Sequence, residues 1–322
     1  MSAWTERLPA NVKTFAMENT VIVVFVTMLL VAGIASPNFF EYNNIMNVLS
    51  QVSYLGVIAC GQLFVILIGG IDLSVGSLVA FCSVVIAVCL EEMGMSLPVS
   101  IALGILLTSV CGFISGFLVA KFNIAAFVST LAMMTIARGL ALTTSSGRPI
   151  LIANDFMANF AQSSLFGIPA PVLVMMAFVV ISWFILQKTI VGRMLIAIGS
   201  NEMSAVYAGI KVSAYKMFAY VFSGVACGIS AVILVSRTGV GSPILGEGLE
   251  LDAIAAVVIG GASLQGGRGR VVNTLIGALI LGVISNIMNL IGIPGYIQRI
   301  VKGLIIIAAV LIEGLRTKRH AT

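Results

Sequence analysis

The chain has 322 residues, of which 60% are hydrophobic and only 29 are charged, 17 Lys+Arg and 12 Asp+Glu. Soluble domains hold about 45–50% apolar and about 25% charged residues, so a soluble globule is excluded. The net charge of +5 does not point to nucleic acid, because the basic residues stand at the ends of apolar runs rather than in one patch interleaved with aromatics.

A membrane-spanning helix uses about 20 residues. Apolar runs at 20–36, 45–69, 73–90, 97–120, 124–143, 170–187, 217–236, 252–264, 271–291 and 300–315 predict an all-α, polytopic membrane helix bundle of about ten spans, with at least one broken or re-entrant segment. Residues 1–19 read as a cytoplasmic leader, 20–315 as one transmembrane domain and 316–322 as a cytoplasmic tail. The first run ends in Ala32-Gly-Ile-Ala-Ser36, which could pass for a signal cleavage site; Glu6, Glu18, Arg7 and Lys13 ahead of it favour a retained helix.

The second run carries Asn44, Asn47, Gln51, Tyr54 and Gln62 at offsets of 0, 3, 7, 10 and 18, along one face of a helix. In lipid such a stripe must meet a partner helix or an aqueous cavity. Amides both donate and accept, which suits a neutral polyhydroxylated solute, so the face reads either as pathway lining or as interhelical glue. Ser285, Asn286 and Asn289 in the ninth run form a shorter stripe with the same two readings.

Between the second and third runs, Ile68-Gly-Gly-Ile-Asp72-Leu-Ser74-Val-Gly-Ser77 interrupts the apolar sequence and predicts a broken helix. Unwound backbone at membrane depth needs protein or water to satisfy it, so Asp72 and Ser74 are candidate pathway residues; the alternative is a cytoplasmic turn in which Asp72 caps the next helix. The fourth run holds Gly112-Phe-Ile-Ser-Gly116 and the seventh Gly224-Val-Ala-Cys-Gly228, two small-xxx-small faces for close packing within the bundle or for a dimer seam.

Residues 188–216 are too long for a simple turn. Asn201 as N-cap, Glu202 in the first turn and Gly209 as a left-handed stop predict a helix of about two turns, either resting passively on lipid or docking a cytoplasmic partner. The eighth run is short for a crossing and competes with a half-helix. It leads into Gly260-Gly-Ala-Ser-Leu-Gln-Gly266-Gly-Arg268, where the Walker pattern would need Lys and Ser/Thr after Gly266; the glycines read as a tight turn, and the chain should not hydrolyse ATP.

With the N-terminus inside, twelve basic residues (Arg7, Lys13, Lys121, Lys188, Arg193, Lys211, Lys216, Arg268, Arg270, Arg316, Lys318 and Arg319) fall on the cytoplasmic side. Five (Arg138, Arg148, Arg237, Arg299 and Lys302) fall outside or in the membrane, which obeys the positive-inside rule and, with an even span count, puts the C-terminus inside as well. Cys60, Cys82, Cys89, Cys111 and Cys227 all lie in apolar stretches without a CxxC pair, and the single histidine, His320, is in the tail, so metal, redox and Ser-His-Asp chemistry lack a residue set.

Ser36-Pro-Asn-Phe-Phe, Gly69-Gly-Ile-Asp-Leu-Ser-Val-Gly-Ser77, Phe127-Val-Ser-Thr-Leu-Ala-Met-Met-Thr-Ile-Ala-Arg-Gly139, Asn201-Glu202 to Gly209-Ile210, and Glu250-Leu-Asp-Ala-Ile-Ala-Ala to Gly260-Gly together resemble the ribose-type permeases of ATP-binding-cassette importers, over residues 36–315. The resemblance implies a bacterial inner-membrane subunit for monosaccharide import that pairs with a second permease chain, as homodimer or with a paralogue. It also implies a cytoplasmic ATPase that binds the ATP and Mg, and a periplasmic or extracellular sugar-binding protein. By the same resemblance, Asn201, Glu202, Ser204, Ala205, Gly209 and Ile210 belong to a coupling helix docked on the ATPase. Met203 and Ser204 stand where relatives usually have two alanines, and Gln265 where several have a smaller residue.

The competing function is an ion-coupled sugar symporter acting alone, for which Asp72 and Asp252 are the available intramembrane carboxylates. A membrane enzyme would need a nucleophile–base pair or a metal cluster that the sequence does not supply.

Overall fold

A computed structural model describes residues 20–321, with side chains for residues 20–308, 310 and 311. The leader 1–19 lies outside the described residues, as do the side chains of the basic tail. The helices, in chain order, are α1 (Thr20–Ala35), α2 (Tyr42–Leu67), α3 (Val75–Ala87, prolonged by a π turn Val88–Glu92), α4 (Leu97–Phe122), α5 (Ala126–Thr144), α6 (Asp155–Gln162), α7 (Ala170–Lys188), α8 (Ile190–Ser200), α9 (Glu202–Tyr207), α10 (Val212–Thr238), α11 (Leu249–Ile259), α12 (Val271–Leu290) and α13 (Gly295–Ala321).

Seven of these are long and apolar enough to cross a membrane: α2, α3 with its π turn, α4, α5, α7, α10 and α12. The first apolar run forms a 16-residue helix, and the eighth forms α11 with 11 residues. At a rise of 1.5 Å per residue, α11 reaches about 16 Å, half of a hydrocarbon core about 30 Å thick. A glycine stop ends it at Gly260–Gly261, ahead of the predicted boundary at 264.

Helices α2, α3 and α10 form the buried centre, and α4, α5 and α7 pack around them with one side open. The two small-xxx-small faces meet each other. A Cβ on Gly112 would lie 2.3 Å from the Tyr220 carbonyl oxygen, and one on Gly224 would lie 2.4 Å from that of Thr108. Contacts run antiparallel, Gly228 against Ile105 and Gly116 against Met217, so both faces are used within the chain and neither is free to form a dimer seam.

The bundle has two ends. One carries α8, α9, the α2–α3 break and the turn at 263–270. At the other, residues 145–169 form an insert that the apolar pattern does not announce: α6 and two short antiparallel pairings, Ile150↔Gly241 with Leu151↔Val240, and Ser164↔Pro169 with Leu165↔Ile168. At that end too, the Arg138 guanidinium donates to the carbonyls of Pro243 and Leu245, fixing the loop that leads into α11.

Gly112→Val should force α4 and α10 apart and lower the denaturation temperature of the detergent-solubilised chain, at a cost of about 1–3 kcal/mol. Gly139→Ala, where a Cβ meets nothing within 4 Å, should leave it unchanged. Equal melting of the two variants would mean that the α4–α10 contact is not tight.

Candidate functional site

Helix α2 terminates where Gly69, at φ 75°, closes a Schellman motif: its N–H donates to the Ile66 carbonyl at 2.9 Å, and that of Gly70 to Val65 at 3.0 Å. In the non-helical backbone that follows, Gly70, Asp72 and Ser74 are buried. Asp72 Oδ1 accepts from the Ser74 N–H (2.9 Å) and hydroxyl (2.6 Å), an Asx turn leading into α3, and Oδ2 accepts from Ser223 of α10 (2.8 Å). Thr130 of α5 donates to the Ile71 carbonyl at 3.0 Å. The Gln62 carboxamide faces the Asp72 backbone; with its nitrogen on the Asp72 carbonyl (3.1 Å) and its oxygen on the Asp72 N–H (3.2 Å), both groups are satisfied. Asp72, Ser74 and Gln62 are each no more than 1% exposed.

The remaining members of the α2 stripe separate into two groups. Asn44 and Asn286 exchange a reciprocal amide pair at 3.1 and 2.8 Å between α2 and α12, and Asn44 also donates to the Phe39 carbonyl. Asn289 is exposed and accepts from Gln298 Nε2 at 2.7 Å. Asn47 is exposed and Gln51 half-buried, and they meet only each other, Gln51 Nε2 donating to Asn47 Oδ1 at 3.2 Å. Each keeps donors and acceptors to spare.

Charged groups lie beside this N-terminal half of α2. Arg237, near the end of α10, donates to the carbonyl of Ser50, and Ser230 donates to that of Tyr54 at 3.0 Å. Asp252 of α11 is paired with Lys302 of α13 at 2.8 Å. Sequence reading gave Arg237 and Lys302 no partner, since Ser50 and Asp252 lie far away in the chain; only an isolated charge inside an apolar run marked them.

At the other end, α9 is shorter than its predicted two turns. Asn201 Oδ1 accepts from the Ser204 N–H at 2.9 Å. Gly209, at φ 78°, ends the helix, with Gly209 N–H donating to Val206 (2.9 Å) and Ile210 N–H to Ala205 (3.1 Å). Ala205 is buried while Met203, Val206 and Tyr207 are exposed, Tyr207 to 83%. Glu202 receives Lys216 of α10 on both carboxylate oxygens at 2.7 and 2.8 Å. A cavity of about 240 Å³ reaches the start of α9; Ile68, Gly69, Gly70, Glu202, Lys216 and Tyr220 are among the residues that line it. Ahead of α9 stands α8, an eleven-residue helix with a buried Leu195 and Ile198, not anticipated from the sequence.

Among the described residues no three His, Cys, Asp or Glu side chains converge, and the five cysteines are free and buried. What the arrangement offers is an unspent pair of amides in one half of the bundle and an apolar, capped helix protruding from the other.

Comparison with known proteins places this geometry. Residues 44–310 match the family model described as branched-chain amino acid transport system / permease component. The chain is 44% identical over 288 residues to the ribose import permease protein RbsC of Bacillus subtilis, covering 89% of both chains. It is 39% identical over 312 residues to the RbsC of Haemophilus influenzae, covering 95% of this chain and 96% of that one. It is 38% identical over 301 residues to the L-arabinose transport system permease protein AraH of Escherichia coli, covering 94% and 92%. No solved structure matches.

The Asn44–Asn286 pair should behave as packing glue. In a double-mutant cycle of Asn44→Leu and Asn286→Leu, the interaction energy should be about 0.6–1.7 kcal/mol, read from unfolding in mixed micelles. Additive effects would mean that the two amides stabilise the bundle independently.

Proposed function

The chain belongs to the branched-chain amino acid transport system / permease component family and is the membrane subunit of an ATP-binding-cassette sugar importer, and from this premise we propose that it carries a ribose-like monosaccharide past Asn47 and Gln51 under drive received at α9. The observation that carries the cargo is the 38–44% identity to ribose permeases along most of the chain. The family description names amino acids, but these relatives match over most of their own length, and the neutral amides at 47 and 51 supply no charge for an α-carboxylate or α-amine. The chain is a multi-pass protein of the bacterial inner membrane.

The partners are a second permease chain, a cytoplasmic ATPase that holds ATP and Mg, and an extracytoplasmic sugar-binding protein; this chain itself catalyses nothing. The chain makes ten crossings with both termini inside, the eighth by α11 together with the non-helical residues that flank it, and residues 188–216 form the cytoplasmic coupling loop. Of the eight pathway candidates, Gln62, Asp72 and Ser74 hold the break and Asn44 and Asn286 hold each other; Asn47, Gln51 and Asn289 keep free hydrogen-bonding capacity, and of these Asn47 and Gln51 stand together on α2, whereas Asn289 lies on α12 against Gln298. Asp252 is neutralised by Lys302 and Asp72 accepts three hydrogen bonds, so neither carboxylate stands open for a coupling ion. Nothing in the comparisons supports the symporter alternative.

Reconstitution in vesicles with the ATPase and the binding protein should give ribose uptake that requires ATP and both partners; uptake on an ion gradient alone would refute the assignment. In the same system Gln51→Leu should lower uptake about fivefold to tenfold, the weight of about one hydrogen bond to solute, with ATPase binding unchanged. A complex that instead falls apart would make Gln51 a packing residue.

Topology has its own test. A cysteine at Ser200, which is exposed, should stay unlabelled by a membrane-impermeant thiol reagent in intact cells and react after permeabilisation. Labelling of intact cells would invert the orientation.

A further inference from the structure

Three segments distant in sequence meet backbone to backbone beside α9. The Gly267 N–H donates to the carbonyl of Leu67, the last residue of α2, at 2.9 Å. Gly199, in the last turn of α8 and two residues ahead of the α9 cap, is pressed into the same point: a Cβ there would lie 1.8 Å from the Leu67 oxygen and 2.5 Å from the Gly267 nitrogen. Gly266 sits against both Gly69 and Gly199, a Cβ position 2.9 Å from the Gly69 nitrogen and 3.0 Å from the Gly199 oxygen. No side chain separates these backbones, and close-packed contacts of this kind do not deform gradually.

The other routes from α9 into the bundle are softer. The cavity of about 240 Å³ has Glu202 of α9 and Gly69 and Gly70 of the α2 end all in its lining, so open space rather than side-chain packing lies between them there. The Glu202–Lys216 pair reaches α10, but its Glu202 side chain is 46% exposed and open to solvent screening. Helix α2 is the element that carries Asn47 and Gln51.

We propose that the Gly199–Leu67–Gly267 junction is the rigid relay of the transport cycle: a displacement of α9 moves the end of α8, and the junction carries it into α2 and so to the amides in the outer half. Gly199, Gly266 and Gly267 are positioning residues, touching neither solute nor ATPase. This rests on the assignment of α9 as the docking element. It adds that α8, the turn at 265–267 and the α2 end travel as one body.

The test uses the complete reconstituted transporter and two independent variants. In Gly199→Ala the added Cβ parts the junction. The ATPase should stay bound and active while sugar moved per ATP falls about tenfold, a coupling change within the range for residues that link distant sites. In the second variant, Ser200→Cys with Gln265→Cys in a background whose buried cysteines are replaced, a short bifunctional thiol reagent bridges α8 to the turn. If the three segments move together, the bridged transporter should keep its sugar-to-ATP ratio. Loss of uptake on bridging, restored by a cleavable version of the reagent, would show that the segments slide past each other and overturn the relay, as would normal coupling in Gly199→Ala; should that variant fail to fold, the bridging result decides. The docking assignment is read separately from Tyr207→Asp, which should release the ATPase from the membrane. Retention of the ATPase there with full coupling would refute docking at α9 whatever the bridging experiment gives.

Discussion

A carboxylate and a glycine turn hold together the one place where the buried centre of the bundle stops being helical. Residues 68–74 lie between α2 and α3, and any backbone polar group buried there without a partner would cost several kcal/mol. Asp72 meets this by accepting from Ser74 twice and from Ser223 once, while Gln62 and Thr130 cover the carbonyls and the N–H alongside. The four residues that make these six bonds come from α2, the cap of α3, α5 and α10. The break is therefore the knot that fixes those four helices relative to one another, and the Gly199–Leu67–Gly267 contact lies directly beside it.

With that knot in place, the polar residues of the membrane domain sort by whether they have been used. Asn44 and Asn286 are consumed by each other and Asp252 by Lys302, while Arg237 is anchored on the Ser50 carbonyl. An amide pair or an ion pair that is closed within the bundle contributes to stability and specificity of packing, not to solute recognition. Asn47 and Gln51 bond only to one another and retain capacity on an open face, which is the condition for exchanging hydrogen bonds with a passing sugar.

The hydropathy profile and a few local motifs determined much of this. Apolar runs located the helices, because a backbone in lipid has few alternatives to a helix. The Asn201 cap and the Gly209 stop located α9, because both act through hydrogen bonds only a few residues apart. The paired glycine faces announced close packing, and the ordered motifs from 36 to 315 announced the family. These are all short-range or compositional signals.

Tertiary structure decided which face meets which. Helical periodicity aligned Asn44, Asn47, Gln51 and Gln62 on one side of α2, but it carries no information on the neighbour, and the partners that distinguish them lie far off: Asn286 is 242 residues from Asn44. Ser223 is 151 residues from Asp72, and the single-residue periodicity of either segment gave no hint of the pair. The small β pairing of 150–151 with 240–241 was invisible for the same reason, two residues being too few for an alternating pattern. Gly266 and Gly267 read in sequence only as part of a tight turn, and Gly199 carried no signal at all; their contact exists only once three chain segments are brought within a Cβ's breadth of each other, because what matters there is the absence of a side chain at a point of contact, and an absence has no partner written beside it in the chain.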